Sequence, residues 1–217
     1  MTVVPTPASS VILLRRRLRW EMLMVERPAR GVFGGIWAFP GGAVEPADRD
    51  PGLVGFSDPW RSAGLRETAE EVGIFLTDPR WAAPVLADDG DVFAALHRTS
   101  SRFDPARLRY LASWITPEVI PRRFEARFYV AEVDADVEGA VVTDELVDMA
   151  WAEPSEILRR LADGEWSMIF PTVWHVELLA DCDDPFALAP HPIRQLKTPV
   201  EPWEVIDFGL PSEEEIA

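Results

Sequence analysis

Three glutamates, Glu67, Glu70 and Glu71, stand at spacings i, i+3 and i+4, which on a helix brings their carboxylates to one face. Like charges so placed repel, and a divalent cation relieves the repulsion. Hard carboxylate oxygens suit Mg2+ or Mn2+. The same ions take phosphate oxygens, so they can bridge protein and diphosphate, activate water and stabilise a leaving group. Arg66 precedes the cluster, and its planar fork can orient one carboxylate while leaving the others for metal. Upstream, Pro40-Gly41-Gly42 lets backbone approach a ligand closely, and the carbonyl of Gly42 can be offered to the cation. The alternative is a solvated acidic helix beside an ordinary Pro-Gly-Gly turn.

These residues must be held by strands and a helix. Short apolar runs at 10–15 and 20–26 predict adjacent strands, with Arg15-Arg16-Arg17 as their solvated turn. Glycines at 31, 34 and 35 make the following segment irregular, and Ile36 to Phe39 reads as a strand stopped by Pro40. Asp58 as N-cap and Pro59 at the first helical position predict a helix over 59–72 that ends at Gly73, with the glutamates in its last two turns. Further helices are expected at 90–99, 105–112 and 155–162 and from Pro171 onward, and strands at 127–133 and 149–152.

The chain has 217 residues, 47% of them hydrophobic, which suits one well-buried domain with decorations. The domain is expected over 8–184, with 77–120 as an elaboration and 185–217 as a Pro-rich, acidic extension ending in Glu213-Glu214-Glu215. A net charge of -16 argues against nucleic acid or anionic membrane as partner, since both require phosphate-neutralising cations. The single cysteine, Cys182, excludes an intramolecular disulfide and a cysteine-cluster zinc site. No apolar run could span a bilayer as a helix, so a soluble, cytoplasmic protein is expected. His97, His175 and His191 are too scattered to suggest a metal site.

Pro40-Gly41-Gly42 followed by Arg66-Glu67-x-x-Glu70-Glu71-x-Gly73-Ile74 resembles the box of the Nudix hydrolase family. Asp48 stands where the family has glutamate, a carboxylate one methylene shorter that can pair with Arg66 or hold a water. Seventeen residues, 49–65, stand where the family has seven, and Thr68 replaces an apolar residue. The resemblance implies an α/β/α sandwich with a mixed sheet, and cleavage of a nucleoside diphosphate linked to another group. It further implies Gly42, through its carbonyl, and Glu67, Glu70 and Glu71 as ligands of Mg2+ or Mn2+.

The general base is expected to be Glu67, with Glu145, on the approach to a strand, as second candidate and Glu118 and Glu125 behind it. The segments Trp114 to Pro117 and Pro121 to Phe128 are similar to a branch of the family that carries an insertion in the box and includes coenzyme A and acyl-coenzyme A diphosphatases. There Arg122, Arg123 and Arg127 could pair with phosphates, the ribose 3′-phosphate above all; the alternative is basic residues on the exposed face of a strand. Arg27, Arg30 and Gly35 partly match a second coenzyme A signature. Trp37 and Trp151 are expected in the core, and Trp60 or Trp114 could stack on an adenine. The expected partner is a small nucleotide-containing diphosphate, with a homodimer left open. ADP-ribose, a dinucleotide or an oxidised nucleotide is the second substrate reading, and a binding or regulatory module without turnover is the competing class.

Overall fold

A computed structural model describes residues 3–29, 35–78, 80, 84–87 and 90–196, with the backbone of 205–207. The expectations for Arg30, Gly31, Gly34 and Glu213 to Glu215 lie outside the described residues. The elements are β1 (Thr6–Arg16), β2 (Trp20–Glu26), β3 (Trp37–Ala38), β4 (Gly41–Ala43), α1 (Pro51–Val54), α2 (Pro59–Val72), α3 (Val92–Arg98), β5 (Arg109–Ile115), β6 (Phe124–Val133), β7 (Asp148–Ala152), α4 (Pro154–Ala162), α5 (Phe170–Ala180), β8 (Ile193–Leu196) and β9 (Val205–Asp207).

Alternation along the strands splits the core into two layers. Val11, Leu13, Leu23, Val25, Tyr129 and Ala131 face α2, whose Leu65, Ala69 and Val72 meet them. Their neighbours Ile12, Leu14, Met22, Met24, Phe128 and Val130 face Ile157 of α4 and Val176 and Leu179 of α5. Period-two side chains thus read as continuous apolar runs because both faces are covered. Each fully buried aliphatic side chain contributes on the order of 1.5–3 kcal/mol. The result is the expected α/β/α sandwich with a mixed sheet.

The sheet runs β3-β2-β1-β6-β5-β8-β9, with β4 added to β1 and β7 to β2. One irregularity positions the site. The β1–β2 hairpin is paired only at its closed end, Leu14 with Met22 to Arg16 with Trp20. Beyond that it opens as a fork, and residues 37–43 fill the gap, β3 pairing with Val25 and Glu26 of β2 and β4 with Ala8 to Ser10 of β1. Phe39 and Pro40 span the fork and deliver Gly41 and Gly42 to the α2 side.

Several expectations need correction. Arg15 is not a solvated turn residue. It extends β1, is buried at 3% exposure, and bonds Glu21, Glu138 and the carbonyl of Val137. The helix expected at 105–112 is a single 3-10 turn, Pro105–Arg107, followed by β5. Tyr110, Trp114 and Ile115 prefer extended backbone, and pairing with β6 settles the competition. Residues 77–120 are therefore more than an elaboration, since β5 lies between β6 and β8 in the sheet. The segment after Asp184 likewise adds β8, parallel to β5, and β9 at the sheet's edge.

Candidate metal centre and active site

Helix α2 begins and ends as its sequence dictates. Asp58 accepts from the amides of Trp60 and Arg61, Pro59 occupies the first turn, and Gly73 closes the helix in the left-handed conformation. The helix crosses the strands so that Glu67, Gly64 and Trp60, one helical stripe, overlie Gly42, Ser9 and Arg127, one row of the sheet. Gly42 has only a hydrogen where a Cβ would meet the Glu67 carboxylate at 2.3 Å.

Arg66 organises the carboxylates. Its Nε and Nη2 donate to the Asp48 carboxylate, with Nη2 at 2.9 Å from Oδ2, and Nη2 also reaches the carbonyl of Ala43 at 3.0 Å. Its Nη1 donates to Glu67 at 3.0 Å and to Glu70 at 2.6 Å. Asp48 is further held by Ser62 Oγ and the amide of Glu45. Of the two roles open to Asp48, pairing with Arg66 is the one the structure shows.

Glu71 lies apart from that pair. Its Oε2 accepts from the amide of Gly41 at 2.9 Å, and its Oε1 is 2.8 Å from Nη2 of Arg27. The same nitrogen donates to the carbonyl of Gly41 at 2.6 Å. The carbonyl beside the glutamates is therefore that of Gly41, not the expected Gly42. The bonds from Val11 N to Pro40 O and from Val44 N to Pro7 O set the ladder's phase, which makes Gly42 the hydrogen-bonded partner of Ser9 and turns the carbonyl of Gly41 away from β1. A side chain at 41 is excluded, since φ is +151° and a Cβ would lie 2.2 Å from the carbonyl oxygen of Ser9.

Burial pushes the Glu67 carboxyl up to about 7; Arg66 opposes the rise, and Glu71 and Glu70 add to it. Burial also raises Glu70 and Glu71. In Arg66, burial works against the charge, but Asp48, Glu67 and Glu70 outweigh it and hold the guanidinium above its ordinary range. Glu145 is exposed, yet its charge reaches Glu71. Its loop is tied to the end of α2 by the bonds from Ala140 N to Val72 O and from Val142 N to Glu71 O.

The chain matches the NUDIX domain over residues 4–172. It belongs to the Nudix family. A crystal structure of a Nudix hydrolase from Alicyclobacillus acidocaldarius superposes with a TM-score of 0.73 at 27% identity, covering 85% of this chain and 95% of that one. The Caenorhabditis elegans protein named nudix hydrolase 7 is 28% identical over 186 residues, 82% of this chain but 61% of that protein, so the chain spans less than two thirds of this relative's length. The Nudix domain of Shewanella oneidensis NrtR, solved with ADP ribose, shares the fold at a TM-score of 0.53 and 13% identity, over 82% of this chain and 87% of that one.

The Nudix helix presents its glutamates on one face, but they are not pooled. Among the described residues no three His, Cys, Asp or Glu side chains are gathered to enclose an ion. Two arginines divide the cluster, Arg66 drawing Glu67 and Glu70 and Arg27 drawing Glu71, because each guanidinium relieves the repulsion that the spacing creates. The donor set still fits a hard divalent cation. It is all oxygen, and Oε1 of Glu71 is buried without an aligned hydrogen-bond donor.

The basic residues of β6 are arranged differently from expectation. Arg123 is buried and donates to the carbonyls of Thr116 and Val3, tying the start of the chain to the end of β5. Arg127 is buried with its guanidinium 3.7 Å from the Trp60 ring. The exposed basic strand face is not seen, since Arg123 is 5% and Arg127 3% exposed. Arg122 alone of the three is exposed. Arg127 covers one face of the partly buried Trp60, and Trp114 is buried between Phe170 and Trp174, so the Trp114 ring does not stand open for an adenine. Trp37 is in the core, stacked on Trp166, and Trp151 packs at its margin. The arrangement of Arg27 over Gly41 escaped sequence reasoning; the available signal was an arginine ending an apolar strand whose partner leads into Gly-Gly.

Proposed function

We propose that this Nudix chain hydrolyses the diphosphate bond of a nucleoside diphosphate linked to another moiety, using Mg2+ or Mn2+ held by Glu67, Glu70, Glu71 and a glycine carbonyl. The observation that carries the reading is the buried Glu71 carboxyl opposite the Gly41 carbonyl, one oxygen fixed by an amide and the other lacking an aligned donor. When bound, the ion supplies charge neutralisation at the diphosphate and lowers the pKa of water. Arg66, anchored by Asp48, holds the helix glutamates in register. Glu67 is the first candidate for the base that takes the water's proton, and Glu145 the second.

Coenzyme A or acyl-coenzyme A, cleaved to 3′,5′-ADP and a phosphopantetheine, is the leading substrate, on the resemblance of 114–128 to that branch. Arg122, an exposed residue whose guanidinium lies over the Phe124 ring, is then the candidate for the 3′-phosphate. A second reading, ADP-ribose or a dinucleotide, is favoured by the internal engagement of Arg123 and Arg127, which leaves fewer cations for a 3′-phosphate. A panel of coenzyme A, acetyl-coenzyme A, dephospho-coenzyme A, ADP-ribose and a diadenosine polyphosphate with Mg2+ decides. Preference for compounds lacking the 3′-phosphate overturns the coenzyme A assignment, and turnover of none overturns the hydrolase reading.

A further inference from the structure

The guanidinium of Arg27 stands where a cation is called for. Its Nη2 touches both Oε1 of Glu71, at 2.8 Å, and the carbonyl oxygen of Gly41, at 2.6 Å. Both are oxygen donors of the kind a hard divalent ion takes. The two ends of the Glu71 carboxylate are held unequally. Oε2 has the amide of Gly41, fixed in the backbone, whereas Oε1, among the described residues, faces the Arg27 guanidinium, close but outside hydrogen-bond alignment. The side chain of Glu71 is 2% exposed and that of Arg27 is 22% exposed, so Arg27 is the element that can swing outward while Glu71 stays. Arg66 has no such freedom, being 4% exposed and tied to Asp48 and the Ala43 carbonyl.

We infer that Arg27 is a built-in counter-cation that competes with the divalent ion for Glu71 and the Gly41 carbonyl, and that metal loading displaces it. This rests on the metal-dependent reading above. A buried carboxylate left without a cation is costly, so Arg27 offsets the Glu71 charge and holds its oxygens in place before metal arrives. The consequence is a metal affinity set below what the oxygen ligands alone would give, and a guanidinium released at the mouth of the site only when the ion is bound.

Mn2+ titration of the metal-free chain, read by the electron paramagnetic resonance of free Mn2+, tests this without any substrate. R27Q and R27M should each bind Mn2+ at least about fivefold more tightly than wild type, because a competitor has been removed, and E71Q should bind more weakly. In the wild-type chain, Mg2+ should move the Arg27 side-chain nitrogen resonances to those of a solvent-exposed guanidinium. Mn2+ binding that weakens with E71Q but is unchanged or weakened by both Arg27 variants overturns the competition and leaves the metal reading standing. Absence of Mn2+ binding in wild type overturns both.

Discussion

Asp48 and Arg66 form a buried ion pair, Nη2 to Oδ2 at 2.9 Å with side chains 0% and 4% exposed, from which the same guanidinium extends to Glu67 and Glu70. The pair welds the loop after β4 to the middle of α2. Removing one partner of a buried pair strands the other, at a cost of about 3–5 kcal/mol. D48N should therefore lose roughly that much stability in urea denaturation, whereas R122A, at an exposed site, should change it by less than about 0.5 kcal/mol. A D48N variant as stable as wild type would show that Arg66 finds another anchor.

The helix glutamates can be tested by turnover. E67Q, E70Q and E71Q keep shape and remove charge, so each should fold normally by circular dichroism while kcat falls by roughly 10²-fold or more, the scale of removing a group that acts in the transition state. Chelation with EDTA should abolish turnover, and Mg2+ should restore it. Unchanged kcat in E70Q would remove that residue from the metal assignment.

Two glycines separate steric exclusion from backbone preference. Gly55 and Gly41 both have positive φ, but a Cβ at Gly55 would meet nothing within 4 Å, while one at Gly41 would collide with β1. G55A should cost about 1–2 kcal/mol, the penalty of an L-residue in the left-handed region. G41A should cost several times as much and weaken Mn2+ binding, because β4 must move away from β1. Equal melting temperatures for the two variants would contradict the packing.

How much of this was legible in the sequence depends on what each residue answers to. Helix α2 was readable to its ends because Asp58, Pro59 and Gly73 act through local backbone bonds. Strands β1 and β2 were readable because they are apolar and bounded by a turn. Strand β5 was misread, since the start of Pro105 to Ala112 does form a helical turn and only pairing with β6 and β8 imposes extension afterwards. Arg123 and Arg127 look like surface cations in a list of charges, and only the folded structure shows that both are buried. The glutamates' spacing gave the shared face; which guanidinium each carboxylate turns to is a three-dimensional matter.

His175 offers a pH test away from the site. It is fully buried between Phe39, Phe128 and Trp174, with Nδ1 against the carbonyl of Pro171. Burial lowers its pKa from 6.5 to about 3, and the Pro171 carbonyl opposes this. Between those values the unfolded chain binds more protons at this residue than the folded chain, so its contribution to stability is full above pH 6.5 and is lost as pH falls toward 3. H175L should lose less stability than wild type between pH 7 and pH 4, measured by urea midpoints. Parallel pH curves would show that the buried ring does not stay neutral.

The inserted chain leaves Asp48 and returns to Arg66, the two residues joined by the buried pair. Its length is thereby uncoupled from the geometry of the glutamates, as a rope's slack is from two moorings. Lengthening such a connection from seven to seventeen residues costs roughly 0.8 kcal/mol in closure entropy, little beside the pair that pins its ends. A lineage can thus lengthen or rebuild 49–57, the part that precedes the Asp58 cap of α2, and keep the same candidate metal centre.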